Sequence, residues 1–97
     1  MYAVIFTATL KQLDQEYSDT AEKMRELAFE KYGCREFTSV TEGDQEVAIS
    51  YWDSQEQIRR WKQDPAHQTA QQRGQERWYK SYKVQVVEVV REYGQPS

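Results

Sequence analysis

The first strand that the sequence predicts has apolar side chains on both faces, and this limits the fold more than any other feature. Residues 2–10 are rich in β-branched and aromatic residues. Successive side chains of a strand point to opposite sides of its sheet. We therefore expect helices on one side of the sheet and some other surface on the second side.

A helix and a hairpin follow this strand in the predicted order. Asp14 is a suitable N-cap for a helix that runs to about Tyr32, and Gly33 supplies the left-handed position that ends it. Two strands, residues 35–41 and 46–52, lie on either side of the turn sequence Glu42-Gly43-Asp44-Gln45.

The second half of the chain predicts another helical region and a last strand. Ser54-Gln55-Glu56-Gln57 matches a capping box that begins a helix. Asp64-Pro65 is expected to restart the helix, and Gly74 to end it. The segment Trp78–Tyr93 is the most β-prone part of the chain.

The order β-α-β-β-α-β predicts an α+β, ferredoxin-like protomer with a four-stranded antiparallel sheet and both helices on one face. A chain of 97 residues is one domain in length, and we assign it to residues 1–94, with 95–97 as a frayed tail. The uncovered face, rich in apolar residues, predicts a homodimer through the sheet face and the last strand, residues 84–90.

Composition and charge argue against several classes of partner. The net charge of −3 disfavours nucleic acid, which binds basic surfaces. No apolar run approaches the roughly 20 residues that span a bilayer, and no signal peptide is recognisable, so we expect no membrane contact and a cytoplasmic protein. The single cysteine, Cys34, excludes an internal disulfide and a cysteine-based metal site.

His67 is the single histidine, and it has two interpretations. It could act as a general base, because an imidazole titrates near neutrality, or it could pack or cap at the third position of its helix. Metal ligation is not expected, since no second histidine accompanies it. No nucleophile elbow and no phosphate-binding glycine loop are present, so the sequence predicts no cofactor.

The remaining candidates for a site are aromatic. Indole and phenol rings could line a cavity between helices and sheet and hold a flat organic ligand, with N–H and O–H groups to orient it. Packing of the core is the alternative for each ring, and Trp61 is the strongest individual candidate. The set comprises Trp52, Trp61, Trp78, Tyr79 and Tyr82.

Several of these residues belong to a longer pattern in the second half of the chain. The pattern consists of Tyr51-Trp52-Asp53-Ser54, then Ile58, Trp61, His67, Ala70 and Gly74, and finally Trp78-Tyr79-Lys80-Ser81-Tyr82-Lys83-Val84 with Arg91 and Tyr93. It resembles the antibiotic biosynthesis monooxygenase family. The resemblance implies a protomer that dimerises sheet to sheet into a dimeric α+β barrel.

The resemblance also implies a chemistry. Some members are cofactor-independent oxygenases that convert anthrones or quinols to quinones with dioxygen, with the protein supplying a pocket, desolvation and hydrogen bonds. By this analogy we expect His67 and Trp61 to be catalytic. Trp52, Trp61, Tyr82 and Arg59 are expected to bind a small aromatic substrate.

Another branch of the family degrades haem and uses an Asn on the first strand, a Trp on the second helical region and a His ten residues after it. Trp61 matches the Trp, but Thr7 and Gln71 stand at the other two positions. The sequence therefore argues against haem degradation. A non-catalytic dimer that binds a small aromatic molecule, and a structural dimer without a ligand, remain as alternatives.

Overall fold

A four-stranded antiparallel sheet carries three α-helices in the computed structural model, which describes residues 1–96. The predicted α+β order is confirmed, with the second helical region divided into two helices. The elements are β1 (Tyr2–Leu10), α1 (Gln15–Tyr32), β2 (Glu36–Glu42), β3 (Gln45–Trp52), α2 (Gln55–Gln63), α3 (Pro65–Arg73), a π-helical turn (Gly74–Trp78) and β4 (Tyr79–Glu88). No helix between residues 1 and 96 is long and apolar enough to cross a membrane.

The register of the sheet decides which side chains face the helices. The strand order is β2-β3-β1-β4, so β1 lies between β3 and β4. Phe6 of β1 pairs with Ala48 of β3 and Val84 of β4. These three side chains share the helix-facing side, because paired residues in an antiparallel sheet point the same way.

The predicted helix boundaries rest on observed capping contacts. The Asp14 carboxylate accepts a hydrogen bond from the Tyr17 backbone N–H at 2.8 Å, and Gly33 ends α1 with φ 77°. Ser54 and Gln57 form both halves of the predicted capping box at the start of α2. Asp64 caps α3 through the Ala66 N–H at 2.9 Å.

Asp64 also fastens α1 to the α2–α3 junction. Its buried carboxylate accepts a hydrogen bond of 2.6 Å from the Tyr32 hydroxyl at the end of α1, and Lys31 lies 3.5 Å from the same oxygen. The hydrogen bond from Tyr32, followed by that from the Ala66 N–H, holds the pKa of Asp64 below its usual range. One carboxylate thus sets the position of three helix ends.

Gly74 is the C-cap of α3, as predicted, but its φ is −60°, so the chain continues through the π-helical turn to Trp78. One predicted boundary is wrong. The last strand ends at Glu88 rather than Tyr93, because Glu88 pairs with Tyr2, the first residue of β1, and no strand residue remains opposite 89–93. Of the predicted tail, Gln95 and Pro96 are exposed without regular structure, and Ser97 lies outside the described residues.

The second face of the sheet has no cover in the monomer. Val47, Ile49 and Tyr51 of β3 are half-buried there, and Val40 of β2 is 61% exposed. This agrees with the two-sided apolar pattern of the strands. The predicted cover, a second copy, stays a prediction.

The Asp64 contact predicts a loss of stability when the Tyr32 hydroxyl is removed. Tyr32→Phe leaves a buried carboxylate without its shortest hydrogen bond, so we expect the melting temperature to fall by roughly 4–8 °C. Tyr93→Phe is the matched control, because Tyr93 is 87% exposed, and it should melt like the wild type. Equal melting of the two variants, measured by circular dichroism, would show that the contact contributes nothing.

At Gly74, substitution by alanine is expected to destabilise the protein, although alanine usually stabilises a helix relative to glycine. A Cβ at this position would lie 2.3 Å from Cε2 of Tyr79, too close for any real contact. Although alanine favours a helix over glycine by about 1 kcal/mol, we expect Gly74→Ala to lower the free energy of unfolding by about 1–2 kcal/mol. Gly94→Ala, with open space around it, should leave that value unchanged in urea titrations.

Candidate functional site

A cavity of about 530 Å³ lies between the helices and the sheet. This volume is within the range of roughly 300–1,000 Å³ that small organic ligands occupy. Its wall takes side chains from both of the hydrophobic clusters that make up the core. The aromatic members of the wall are Phe6, Tyr17, Phe37, Trp61, Trp78, Tyr79 and Tyr82.

One end of the cavity, which we call the Trp61 end, is formed by Trp61, His67, Met24 and Phe37. Trp61 is held in place by its indole N–H, which donates to the Met24 carbonyl at 3.3 Å. The His67 ring packs edge-on against Trp61 with centroids 4.5 Å apart, and Phe37 does the same from β2 at 6.2 Å. The predicted catalytic pair is therefore in direct contact on the cavity wall.

His67 is partly enclosed and lacks a partner for one ring nitrogen. Its Nδ1 is buried without a hydrogen bond from any described residue. Burial, and then the nearby Lys62 ammonium, lower the pKa of His67 to about 4. The imidazole is therefore neutral at pH 7. In this form one of its two ring nitrogens carries a lone pair that can accept a proton or a hydrogen bond.

The other end, which we call the Glu46 end, is formed by Glu46, Tyr17 and Tyr79. Glu46 is only 8% exposed, although it carries a carboxylate. Burial, with the charges of Tyr79 and Glu46 nearby, raises the pKa of Tyr17, and burial raises the pKa of Tyr79 to about 12. Both phenols are thus hydrogen-bond donors at neutral pH.

Tyr82 lies at the margin of the cavity. Its ring stacks on Phe6 with centroids 6.1 Å apart, and its hydroxyl accepts a hydrogen bond of 2.7 Å from the Gln75 side chain. Trp61, His67 and Tyr82 thus lie on the wall of one cavity.

Two predicted binding residues lie elsewhere. Trp52 is fully buried in the core, where its indole N–H donates to the Ser50 hydroxyl at 2.9 Å, and it reaches the cavity only by packing behind Trp61 at 5.1 Å. Arg59 is exposed and pairs with Glu56 at 2.7 Å on the outer side of α2. Neither residue is on the wall, because Trp52 is at the covered end of β3 and Arg59 is two positions before Trp61 on its helix. We leave both out of the proposed site.

Sequence reasoning missed Glu46 and Tyr17. The alternation of β3 contained the signal for Glu46, which shares its face with Ala48, Ser50 and Trp52 at a spacing of two. Trp52, at the end of this alternation, marks the face of β3 that the helices are expected to cover, so the Glu46 carboxylate on the same face is expected to be buried. Tyr17 belongs to the apolar stripe of α1, where its ring is as suited to packing as to a ligand.

Comparison with known proteins decides the family. The model of the antibiotic biosynthesis monooxygenase family matches residues 1–73. The chain belongs to this family. A curated relative, the uncharacterised protein YqjZ of Bacillus subtilis (strain 168), is 40% identical over 92 residues, which is 94% of this chain and 81% of that protein.

Solved structures show the same fold at much lower identity. SnoaB, a cofactor-independent oxygenase from Streptomyces nogalater, superposes with a TM-score of 0.80 at 12% identity, covering 97% of each chain. Rv0793 of Mycobacterium tuberculosis gives a TM-score of 0.77 at 15% identity, covering 96% of this chain and 98% of its own. Both solved structures thus share the ferredoxin-like architecture of this chain.

Thr7 and Gln71, which stand where the haem-degrading branch of the antibiotic biosynthesis monooxygenase family has Asn and His, lie in different parts of the structure. Gln71 is on the cavity wall, whereas Thr7 pairs with Val47 and Lys83 on the open face of the sheet. The β1 residues that do line the cavity are Val4 and Phe6, and neither is an Asn. Among residues 1–96, no three His, Cys, Asp or Glu side chains come together as a metal site.

The lowered pKa of His67 predicts how stability depends on pH. Between pH 6.5 and about 4 the unfolded chain binds a proton that the folded imidazole does not, so the folded state loses stability as pH falls through this window. From pH 7.5 to pH 5 the loss from this residue is about 2 kcal/mol. Urea titrations should show that loss in the wild type and a correspondingly smaller one in His67→Gln, which cannot titrate. The same pH dependence in both proteins would contradict the burial of a neutral imidazole.

Proposed function

We propose that this protein is a cofactor-independent monooxygenase that oxidises a small aromatic quinol or anthrone with dioxygen. The observation that carries the proposal is the aromatic cavity in which a neutral, unpaired imidazole contacts a tryptophan ring. Membership of the antibiotic biosynthesis monooxygenase family supports the same activity. SnoaB, which shares the fold, is described as a cofactor-independent oxygenase.

The chemistry requires that the substrate become electron-rich. The His67 imidazole accepts a proton from the substrate, and the resulting anion donates electrons to dioxygen within the cavity. In an anthrone, one oxygen atom replaces the two hydrogens of the central CH₂ group as the new quinone carbonyl, and in a quinol it replaces a ring hydrogen as a hydroxyl group of the product quinone. In both cases the other oxygen atom leaves as water with the two hydrogens that the substrate loses. Trp61 and Phe6 form two walls of the space that a flat substrate ring would occupy. Exclusion of water from this space strengthens the hydrogen bonds that orient the substrate.

Dioxygen uptake tests this activity directly. Protein treated with a chelator is mixed with a panel of anthrones and quinols, and oxygen consumption is followed together with quinone absorbance. We expect uptake that depends on the protein, a loss of about 100-fold or more in kcat for His67→Ala, and a raised KM for Trp61→Phe. Arg59→Ala is the control on the same helical region, since its guanidinium pairs outside the cavity.

Uptake that is unchanged in both cavity variants would remove His67 and Trp61 from the mechanism. Binding of panel members without any uptake would contradict the oxygenase and support the second candidate, a module that binds or senses a small aromatic molecule. The same aromatic wall favours that candidate, because a binding pocket needs the same residue types.

We also propose that the open sheet face is covered by a second copy, giving the dimeric α+β barrel. Ile5, Val47 and Ile49 form an apolar patch on that face, with Val40 and Val87 exposed on the strands to either side, and apolar surface of this kind marks an association site. The cytoplasmic location of the protein also stays a prediction.

Dimerisation predicts a mass of about twice 11.6 kDa at micromolar concentration. Ile49→Lys would place a charge in the centre of the patch and should yield monomers in light-scattering measurements. Phe29→Lys, an equivalent change at an exposed position of α1, should stay dimeric. A monomeric wild type would contradict the proposed assembly.

A further inference from the structure

The Glu46 end of the cavity contains a buried carboxylate that the oxidation chemistry does not use. Glu46 is on the helix-facing side of β3, between Ala8 of β1 and Thr41 of β2 in the register of the sheet. Its Oε2 accepts a hydrogen bond from the Thr41 hydroxyl. No lysine, arginine or histidine of residues 1–96 forms a salt bridge with it.

The second carboxylate oxygen has room for a further hydrogen bond. Oε1 of Glu46 accepts no hydrogen bond within 3.5 Å from a described side chain, although the Tyr17 phenol is near enough for Glu46 to contribute to its raised pKa, and Oε1 is not among the polar atoms that the protein encloses completely. Because Glu46 is nearly buried and lines the cavity, a ligand in the cavity comes within reach of its carboxylate. Glu46 is thus a nearly buried acceptor in a site whose wall is largely aromatic and aliphatic, whereas the other charged side chains of the wall, Glu22, Arg25, Glu26 and Lys62, are less deeply buried.

A carboxylate in such surroundings is costly unless a donor or a cation satisfies it. The phenols of Tyr17 and Tyr79 lie near it and carry their protons. Together the three groups make a polar end opposite the imidazole. A ligand with a hydroxyl or amino group satisfies this end, whereas a ligand with a carboxylate or sulfonate there meets a like charge.

We propose that Glu46 determines the specificity of the cavity by accepting a hydrogen bond from a ligand hydroxyl or amino group, so that the site takes neutral or cationic aromatic molecules and rejects aromatic acids. The proposal rests on the proposed function in one respect, that the cavity holds an aromatic ligand. It assigns a substrate class: phenolic or amino-substituted ring systems without an acidic group at this end.

Calorimetric titration with matched probes tests the assignment. The probes are 2-naphthol and naphthalene-2-carboxylate, which share a ring system and differ in the group offered to Glu46. We expect the wild-type protein to bind 2-naphthol at least tenfold more tightly. In Glu46→Gln that preference should shrink about tenfold, because the charge that repels the carboxylate is gone.

The control is Glu42→Gln, which makes the same change of charge at an exposed residue that is close to Glu46 in the sheet but off the cavity wall. It should keep the wild-type preference, and an equal loss of preference there would overturn the proposal in favour of a general charge effect. Glu46→Asp is the second variant if Glu46→Gln does not fold. It keeps the charge on a shorter side chain, so it should bind 2-naphthol more weakly and still reject the carboxylate.

The outcomes separate this proposal from the proposed function. An unchanged preference in Glu46→Gln overturns the role of Glu46 and leaves the oxygenase standing. A preference that depends on Glu46 in a protein that consumes no dioxygen supports Glu46 and contradicts the oxygenase. Failure of the wild type to bind either probe overturns the role of Glu46 and also counts against an aromatic ligand.

Discussion

The candidate site depends on small side chains that line it from both the helices and the sheet. Ala48 of β3 and Ser39 of β2 lie below the helices, and Ala21 of α1 and Ala70 of α3 lie above the sheet. Protein interiors are otherwise packed nearly as densely as organic crystals. Where large residues meet, the two aromatic clusters close the core, and where small ones meet, the cavity remains.

Helices above such a void need to be held in place from outside it. The hydrogen bond from Tyr32 to Asp64 joins α1 to the α2–α3 junction at one end. On the far side, the Glu16 carboxylate pairs with Arg73 at 2.7 Å and so joins the start of α1 to the end of α3. These contacts are at the two ends of α1, which lets the centre of the helix stand over the cavity.

Much of the fold was predictable because local patterns and long-range packing agree. Asp14, Gly33 and the capping box at Ser54 act within one turn of the chain, and each defines its boundary in the structure. Gly74 was correctly predicted to end α3, but its second role is a long-range one that no local pattern shows: the ring of Tyr79 packs where a side chain would stand. The end of β4 is likewise set by the length of its partner strand and not by its own β-prone sequence.

The site was predictable in part, for the same reason. Trp61 and His67 are six residues apart and meet where α2 turns into α3 at Asp64-Pro65, and that break in the helix was visible in the sequence. Glu46 and Tyr17 meet only through the pairing of β3 with β1 and the packing of α1 over the sheet. No local pattern reports such a meeting, so a polar end opposite the imidazole could be recognised only in three dimensions.

The central claim is that the space between the aromatic clusters is a ligand site, and the three indole N–H signals in an ¹⁵N-edited NMR spectrum test it most directly. Trp61 and Trp78 line the cavity, whereas Trp52 is sealed in the core with its N–H on Ser50. On addition of 2-naphthol the account predicts that the Trp61 and Trp78 signals move and that the Trp52 signal moves least. Signals that all stay in place, or a shift confined to Trp52, would contradict it.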